Sequence, residues 1–155
     1  MNELLEIEKI KRMKYKYFRA LDTNQWDLIA ECFTEDCHSQ YDSGNYTFDG
    51  RDNIIKFLEE GLGGDNILSL HQAHHPEIDI VDENHATGIW YLQDIVLRLK
   101  EKFSLRGAGF YRDEYRREEG QWKHSVIGYD RTYEEVEPRS DNIVVNNNMF
   151  TRNKI

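Results

Sequence analysis

A long apolar stretch with one carboxylate inside it most constrains the fold of this 155-residue chain. Residues 85–98 read HATGIWYLQDIVLR, and both alternating rows are largely apolar, which predicts a long strand covered on both faces. One row consists of Trp90, Leu92, Asp94 and Val96. An ionised carboxylate against a closed apolar layer is costly. The sequence therefore predicts that the strand lines a cavity with Asp94 on its wall; the alternatives are that this row faces solvent or that a bulge turns Asp94 outward.

Composition and charge exclude several classes of function. A formal net charge of −9 argues against nucleic-acid binding, which needs clustered Lys and Arg. The nearest basic run, residues 112–117, alternates with acids and is typical of an exposed strand face. No segment has the apolar length of a membrane span, and MNELLEIEKIK lacks the order of a signal peptide. Cys32 and Cys37 match no zinc or redox spacing. We therefore expect a cytoplasmic protein with reduced thiols and no nucleic-acid or membrane partner.

The pattern along the chain places helices first and strands last. The predicted helices are residues 3–22, a short helix from Thr23 or Asn24 to about Phe33, and about 51–62. The predicted strands are residues 37–41, residues 46–48, one that starts at Pro76, and then 85–98, 103–118 and 121–135. Helices that precede a meander predict an α+β domain with the helices on one face of a curved sheet. We expect one domain over residues 1–136 and a tail over 137–155, which caps the pocket, reaches a neighbouring subunit or is disordered.

Five segments resemble the SnoaL-like branch of the nuclear-transport-factor-2-like superfamily. They are KYFRALDTNQWDLIAECF, YDSG…FDGRDNIIKFL, LHQAHHPEI, ATGIWYLQD and GAGFYRDEYRREEGQWKHSVIGYDRTYEE. The resemblance covers about Glu6 to Glu135 and implies a cone: a curved mixed sheet and three N-terminal helices that enclose a pocket. Within the branch the nearest match is to bacterial bile-acid 7α-dehydratases, with LinA-type dehydrochlorinases and scytalone dehydratase more distant. It also implies a homo-oligomer, a trimer in preference to a dimer.

The resemblance assigns roles to residues that lie far apart in the sequence. Asp22 falls on the aspartate that pairs with the catalytic histidine, and His71 falls on that histidine. Tyr17 and Tyr41 fall on two pocket tyrosines, Asp94 on a second pocket acid and Arg131 on a pocket arginine. Phe103 lies near a further tyrosine of the bile-acid enzymes. The candidate catalytic residues are thus His71, Asp22, Tyr17 and Asp94, and the candidate substrate-binding residues are Tyr41, Arg131, Trp90 and Phe103. From spacing alone, the favoured interpretation of Asp22 is punctuation between two helices.

The implied reaction is an elimination next to a carbonyl. His71 suits the base, because the pKa of imidazole lies near working pH, and Asp22 would fix its tautomer. Tyr17 and Tyr41 could donate hydrogen bonds to an enolate or a leaving oxygen. Asp94 is either a neutral acid that protonates the leaving group or an ionised partner of Arg131.

A metal site is not expected, although three histidines lie close together in the sequence. If His71 and His75 share a strand face, His74 cannot join them. The other tyrosines are predicted to pack in the sheet rather than line the pocket; they are Tyr91, Tyr111, Tyr115, Tyr129 and Tyr133.

Three classes of function remain open at this stage. The favoured one is a cofactor-independent lyase for a small hydrophobic cyclic substrate, such as a steroid or a polyketide-like ring. The second is a ketosteroid-isomerase-like isomerase or an epoxide hydrolase that uses the same pocket. The third is a binding or assembly module without chemistry.

Overall fold

A six-stranded mixed sheet carries three helices, as a computed structural model that describes residues 2–152 shows. The elements are α1 (Glu3–Asp22), α2 (Trp26–Ala30), β1 (Phe33–Tyr41), β2 (Tyr46–Asp49), α3 (Arg51–Leu62), β3 (Ile67–Ile80), β4 (His85–Arg98), β5 (Phe103–Glu118) and β6 (Gln121–Pro138). The strand order is β2-β1-β6-β5-β4-β3, and β1 runs parallel to β6 while all other neighbours are antiparallel. The predicted α+β cone is confirmed.

The first helix forms as its periodicity predicts. Asn2 caps its N-terminus by accepting the backbone N–H of Leu5 at 3.4 Å, and acids occupy the first turn. Ile10, Tyr17 and Leu21 bury the apolar stripe against the sheet. Asp22 ends the helix beside β3, which brings a carboxylate from the start of the chain to the middle of the sheet edge.

The second helix is shorter than predicted and begins later. It spans only Trp26–Ala30, and Thr23 does not cap it, because its hydroxyl donates back to the Arg19 carbonyl at 2.6 Å. Asn24 adopts a positive φ of 56° in the turn. Phe33 belongs to β1 instead, where the chain pairs with β6 and His124 N–H donates to the Cys32 carbonyl at 2.8 Å. Long-range pairing overrides local helix propensity here.

The third strand begins nine residues before the predicted position at Pro76, since it starts at Ile67. The histidines therefore lie within the strand. A bulge between His74 and Glu77, with a φ of 49° at His75, accommodates Pro76 within the strand. Pairing with β4 continues on both sides of the bulge. The register places His71 directly opposite Asp94.

Strands β4 and β5 have the predicted bounds, but their faces differ from the prediction. The inner row of β4 is buried, whereas Tyr91 on its outer row is 42% exposed, because nothing within residues 2–152 forms a second layer on that side of the sheet. The expected cover on both faces is therefore wrong for one chain. Residues 112–117 are not simply an exposed face either, since Asp113 and Tyr115 point into the core. Assembly into a homo-oligomer stays a prediction.

The segment after β6 packs against nearby loops. Strand β6 extends to Pro138, and Arg139 N–H then donates to the Lys102 carbonyl at 2.8 Å. Further along, the Asn148 amide donates to the Asp65 carbonyl at 2.8 Å. None of the tail residues that the structure describes lines the cavity. Within residues 2–152, no helix combines the length and apolar character needed to cross a membrane.

Candidate active site

A cavity of about 300 Å³ lies between the helices and the inner face of the sheet. Its walls are mainly apolar and aromatic and come from α1, α3 and all six strands. The titratable side chains that line it include His71, Asp94 and Arg131. A largely apolar cleft with a few convergent polar groups is typical of a site for a small organic molecule.

Asp22 and His71 meet at this cavity. The His71 ring nitrogen Nδ1 lies 2.7 Å from Asp22 Oδ1, and the ring stacks on Phe18 at 6.1 Å between centroids. With Nδ1 bound to the carboxylate, Nε2 is the nitrogen that remains for a molecule in the cavity. The contact leaves one ring nitrogen of the imidazole held by a carboxylate and the other unoccupied.

Three donors converge on the Asp22 carboxylate. Besides the imidazole, Ser69 Oγ donates to Oδ1 at 2.8 Å, and the backbone N–H of His71 donates to Oδ2 at 2.8 Å. A carboxylate at the C-terminus of a helix opposes the helix dipole, so these bonds compensate it. The spacing-only interpretation of Asp22 as helix punctuation does not account for a carboxylate aimed at β3.

The two pocket tyrosines are neighbours. The hydroxyl oxygens of Tyr17 and Tyr41 lie 3.4 Å apart, and both side chains line the cavity while being buried. Burial raises the pKa of each phenol well above its ordinary value. Both therefore stay protonated and able to donate a hydrogen bond.

Asp94 is paired with Arg131 by two hydrogen bonds. Arg131 Nη1 lies 2.5 Å from Asp94 Oδ1, and Nη2 lies 2.8 Å from Oδ2. Burial alone would lower the pKa of Arg131, but the Asp94 carboxylate raises it above its usual range. A bidentate guanidinium–carboxylate pair favours the ionised carboxylate. Of the two alternatives, this geometry favours the ionised partner over the neutral acid.

Comparison with known proteins identifies the family. The SnoaL-like domain matches residues 2–126, which is most of the chain. The chain belongs to the SnoaL-like family. A scytalone-dehydratase-like protein from Novosphingobium aromaticivorans is similar in structure with a TM-score of 0.80 and 28% identity, over 92% of this chain and 97% of that one. The hexachlorocyclohexane dehydrochlorinase LinA-type3 from Novosphingobium barchaimii has a TM-score of 0.76 at 18% identity, over 92% and 96%.

Other predicted site residues of this SnoaL-like chain divide into two groups. Phe103 lines the cavity. Trp90 does not: it is fully buried in the core, where its indole N–H donates to the Tyr115 hydroxyl at 2.8 Å. Placing Trp90 at the pocket was wrong, because the same inner row of β4 serves the core at one end and the cavity at the other. Conversely, Tyr111 and Tyr129, which were predicted to be sheet packing, line the cavity.

A glycine makes room for the Asp94–Arg131 pair. A Cβ atom built on Gly107 would collide with the Arg131 guanidinium and approach Asp94 Oδ1 to 3.0 Å. Gly107 stands directly opposite Asp94 in the register of β4 and β5. The pair therefore fits only because Gly107, in the neighbouring strand, has no Cβ atom.

A buried charge cluster that sequence reasoning missed lies behind the cavity. Lys14 Nζ is 2.6 Å from Asp113 Oδ2, both side chains are fully buried, and Lys14 Nζ lies 3.7 Å from the ring centroid of Tyr111. Tyr115 Oη also donates to Asp113 Oδ2, at 2.9 Å, and His124 Nε2 lies 3.5 Å away. Burial lowers the pKa of Lys14 and of His124. Burial alone would raise the pKa of Asp113, but the Lys14 charge holds it below its ordinary value.

A signal for this cluster was present in the sequence. Lys14 stands four residues after Ile10 and three before Tyr17, on the apolar stripe of α1. Asp113 alternates with Tyr111 and Tyr115 in β5. When each of two elements carries a charged residue of opposite sign at a core position, the pattern predicts that the two residues form a buried pair.

The histidines of β3 do not gather around a common point. His71 is bound to Asp22, whereas the rings of His74 and His75 contact each other with 5.9 Å between centroids. Over residues 2–152, no group of three or more His, Cys, Asp or Glu side chains is placed to hold a metal ion.

Proposed function

We propose that this protein is a cofactor-independent lyase that dehydrates a hydrophobic cyclic substrate. The observation that carries the proposal is the bond of 2.7 Å between Asp22 and His71 at the wall of a mainly apolar cavity. An imidazole with one nitrogen held by a carboxylate and the other free suits the removal of a proton next to a carbonyl. The names of two structurally similar proteins, a scytalone-dehydratase-like protein and a dehydrochlorinase, support elimination chemistry.

The first step in the proposed reaction is proton abstraction. His71 Nε2 takes the proton from the carbon next to the substrate carbonyl, and the electron pair of that C–H bond moves toward the carbonyl oxygen. Asp22 stabilises the imidazolium that forms. Tyr17 and Tyr41 are the neutral donors available to hold the enolate oxygen.

The second step is departure of the β-hydroxyl. The enolate electrons form the new double bond as the C–O bond breaks, and the imidazolium returns its proton to the hydroxyl, which leaves as water. A single base then suffices for both proton transfers. Asp94 is left as the ionised partner of Arg131, in keeping with their two hydrogen bonds.

The same pairing favours elimination over an isomerase that uses Asp94 as its acid. Isomerisation of the ketosteroid type with Asp94 as its acid needs a neutral or proton-shuttling carboxyl group in the cavity. Asp94 is instead bonded through both oxygens to Arg131. The bile-acid branch as the nearest relative, and with it a steroid substrate, stays a prediction.

Incubation of the protein with β-hydroxy cyclic ketones and 7-hydroxy-3-oxo-4-ene steroids tests the proposal. We expect new conjugated-enone absorbance for at least one ring system and a product lighter by one water. An isomerase gives a product of unchanged mass. Binding of panel members without any product would support the binding module instead.

A further inference from the structure

One cation that lines the cavity has no carboxylate partner within the described part of the chain. Arg98 lies half-buried at the end of β4, and its Nη2 donates to the Gly61 carbonyl of α3 at 2.8 Å. No ion pair of 4.0 Å or less joins Arg98 to a carboxylate of residues 2–152. A guanidinium carries five N–H donors, so one bond to a neutral carbonyl leaves most of its capacity unused.

The other cavity arginine has an excess of negative neighbours. Arg131 Nε lies 3.3 Å from Glu134 Oε2 and 3.9 Å from Asp42 Oδ1, in addition to its two bonds to Asp94. All three carboxylates that line the cavity are thus gathered around one guanidinium. The cavity is therefore electrostatically divided, with surplus negative charge near Arg131 and an uncompensated positive charge at Arg98.

The register of the sheet gives the separation of these two regions. In the pairing of β3 and β4, His71 lies opposite Asp94 and Ile67 lies opposite Arg98. Arg98 therefore lies four residues along the strands from the level of His71. At about 3.3 Å per residue, this is roughly 13 Å along the strand. Asp94, Val96 and Arg98 alternate onto the same face, and all three line the cavity. A molecule that spans both regions is consequently longer than one ring.

We propose that the substrate carries an oxyanion, a carboxylate or a sulfonate-like group, on the side of its ring system remote from the reacting carbon, and that Arg98 binds it. This inference rests on the proposed function only in taking the cavity as the substrate site. The planar guanidinium matches such an oxyanion with two parallel hydrogen bonds. The ring of Phe103, whose centroid lies 6.0 Å from the guanidinium carbon, places apolar surface beside the charge, which strengthens the attraction.

A purely structural role for Arg98 makes a different prediction. The Gly61 carbonyl belongs to the last turn of α3, and a cation near a helix C-terminus stabilises the helix. If that were its whole role, removal of Arg98 would affect stability and would weaken charged and neutral ligands alike.

Two fluorescent probes with the same rings separate these roles. Anilinonaphthalene sulfonate is an anion, and N-phenylnaphthylamine is its neutral counterpart without the sulfonate. For Arg98→Met we expect the Kd of the sulfonate to rise about tenfold, the range of one charge-assisted hydrogen-bonded contact, while the Kd of the neutral probe changes less than about twofold. Arg98→Lys keeps the positive charge but not the planar pair of N–H donors. We expect its Kd for the sulfonate to lie between the values of the unaltered protein and of Arg98→Met.

The matched control is Arg106→Met. Arg106 lies on the exposed outer row of β5, paired with Glu137 at 3.0 Å, and does not line the cavity. It should leave both probe affinities unchanged. Equal weakening of the two probes by Arg98→Met, or no change in either, would overturn the oxyanion site. The probe titrations do not depend on turnover, so failure of the proposed chemistry, seen as no product from the ketone panel, would be recognised separately.

Discussion

His71→Ala is expected to reduce kcat by about 10²–10⁴-fold on any substrate that the protein dehydrates, because a positioned general base contributes that much. Asp22→Asn is expected to cost a similar factor, since an amide in place of the carboxylate neither fixes the tautomer nor stabilises the imidazolium. Neither residue is fully buried, so the fold should survive. Steady-state kinetics with an active member of the ketone panel, together with circular dichroism, measures both effects.

The chain contains a matched histidine–aspartate pair as a control. His38 Nδ1 lies 2.7 Å from Asp49 Oδ1, the same distance as in the Asp22–His71 pair, but on the exposed side of β1 and β2. His38→Ala should leave kcat unchanged. Turnover that persists at the original rate in His71→Ala would remove the imidazole from the mechanism.

Lys14→Met is expected to lower the free energy of unfolding by about 3–5 kcal/mol, the cost of leaving a buried charge without its partner. Asp113 is completely buried, and the Lys14 ammonium at 2.6 Å is its only cationic partner of fixed charge in the described structure. The Tyr115 hydroxyl and the His124 ring remain beside the carboxylate, but neither supplies a permanent positive charge. Urea unfolding followed by tryptophan fluorescence measures the change.

Two further variants show whether the buried pair is responsible. Lys16, on the same helix as Lys14, forms a surface ion pair of 3.0 Å with Glu31 at the end of α2, and Lys16→Met should cost less than about 1 kcal/mol. Lys14→Met combined with Asp113→Leu should recover much of the loss, since no unpaired charge then remains in the core. Lys14→Met with unaltered stability would mean that Asp113 is not a buried anion.

Sequence periodicity correctly predicted the elements that bury one regular row of side chains and expose the other. The buried stripe of α1 and the alternating rows of β4 and β5 gave the correct bounds, since each pattern repeats over many residues. The carboxylate in the apolar row of β4 correctly indicated a cavity wall, because burial of Asp94 without a partner would be costly.

Features that depend on partners distant in sequence escaped prediction. The bulge at His75 was hidden because Pro76 looks like a strand start when pairing with β4 is unknown. Trp90 and Asp94 share one row, and periodicity does not distinguish the end that is packed from the end that is open. The Asp22–His71 contact came from the family resemblance rather than from spacing, since 49 residues separate the two partners.

The tautomer of His71 tests the central claim most directly, without need of a substrate. Nitrogen-15 NMR of the neutral imidazole should show its proton on Nδ1, facing Asp22 at 2.7 Å, and a bare Nε2. Asp22→Asn should abolish this preference. A proton found on Nε2 in the unaltered protein, or a tautomer that Asp22→Asn leaves unchanged, would contradict a base oriented by Asp22.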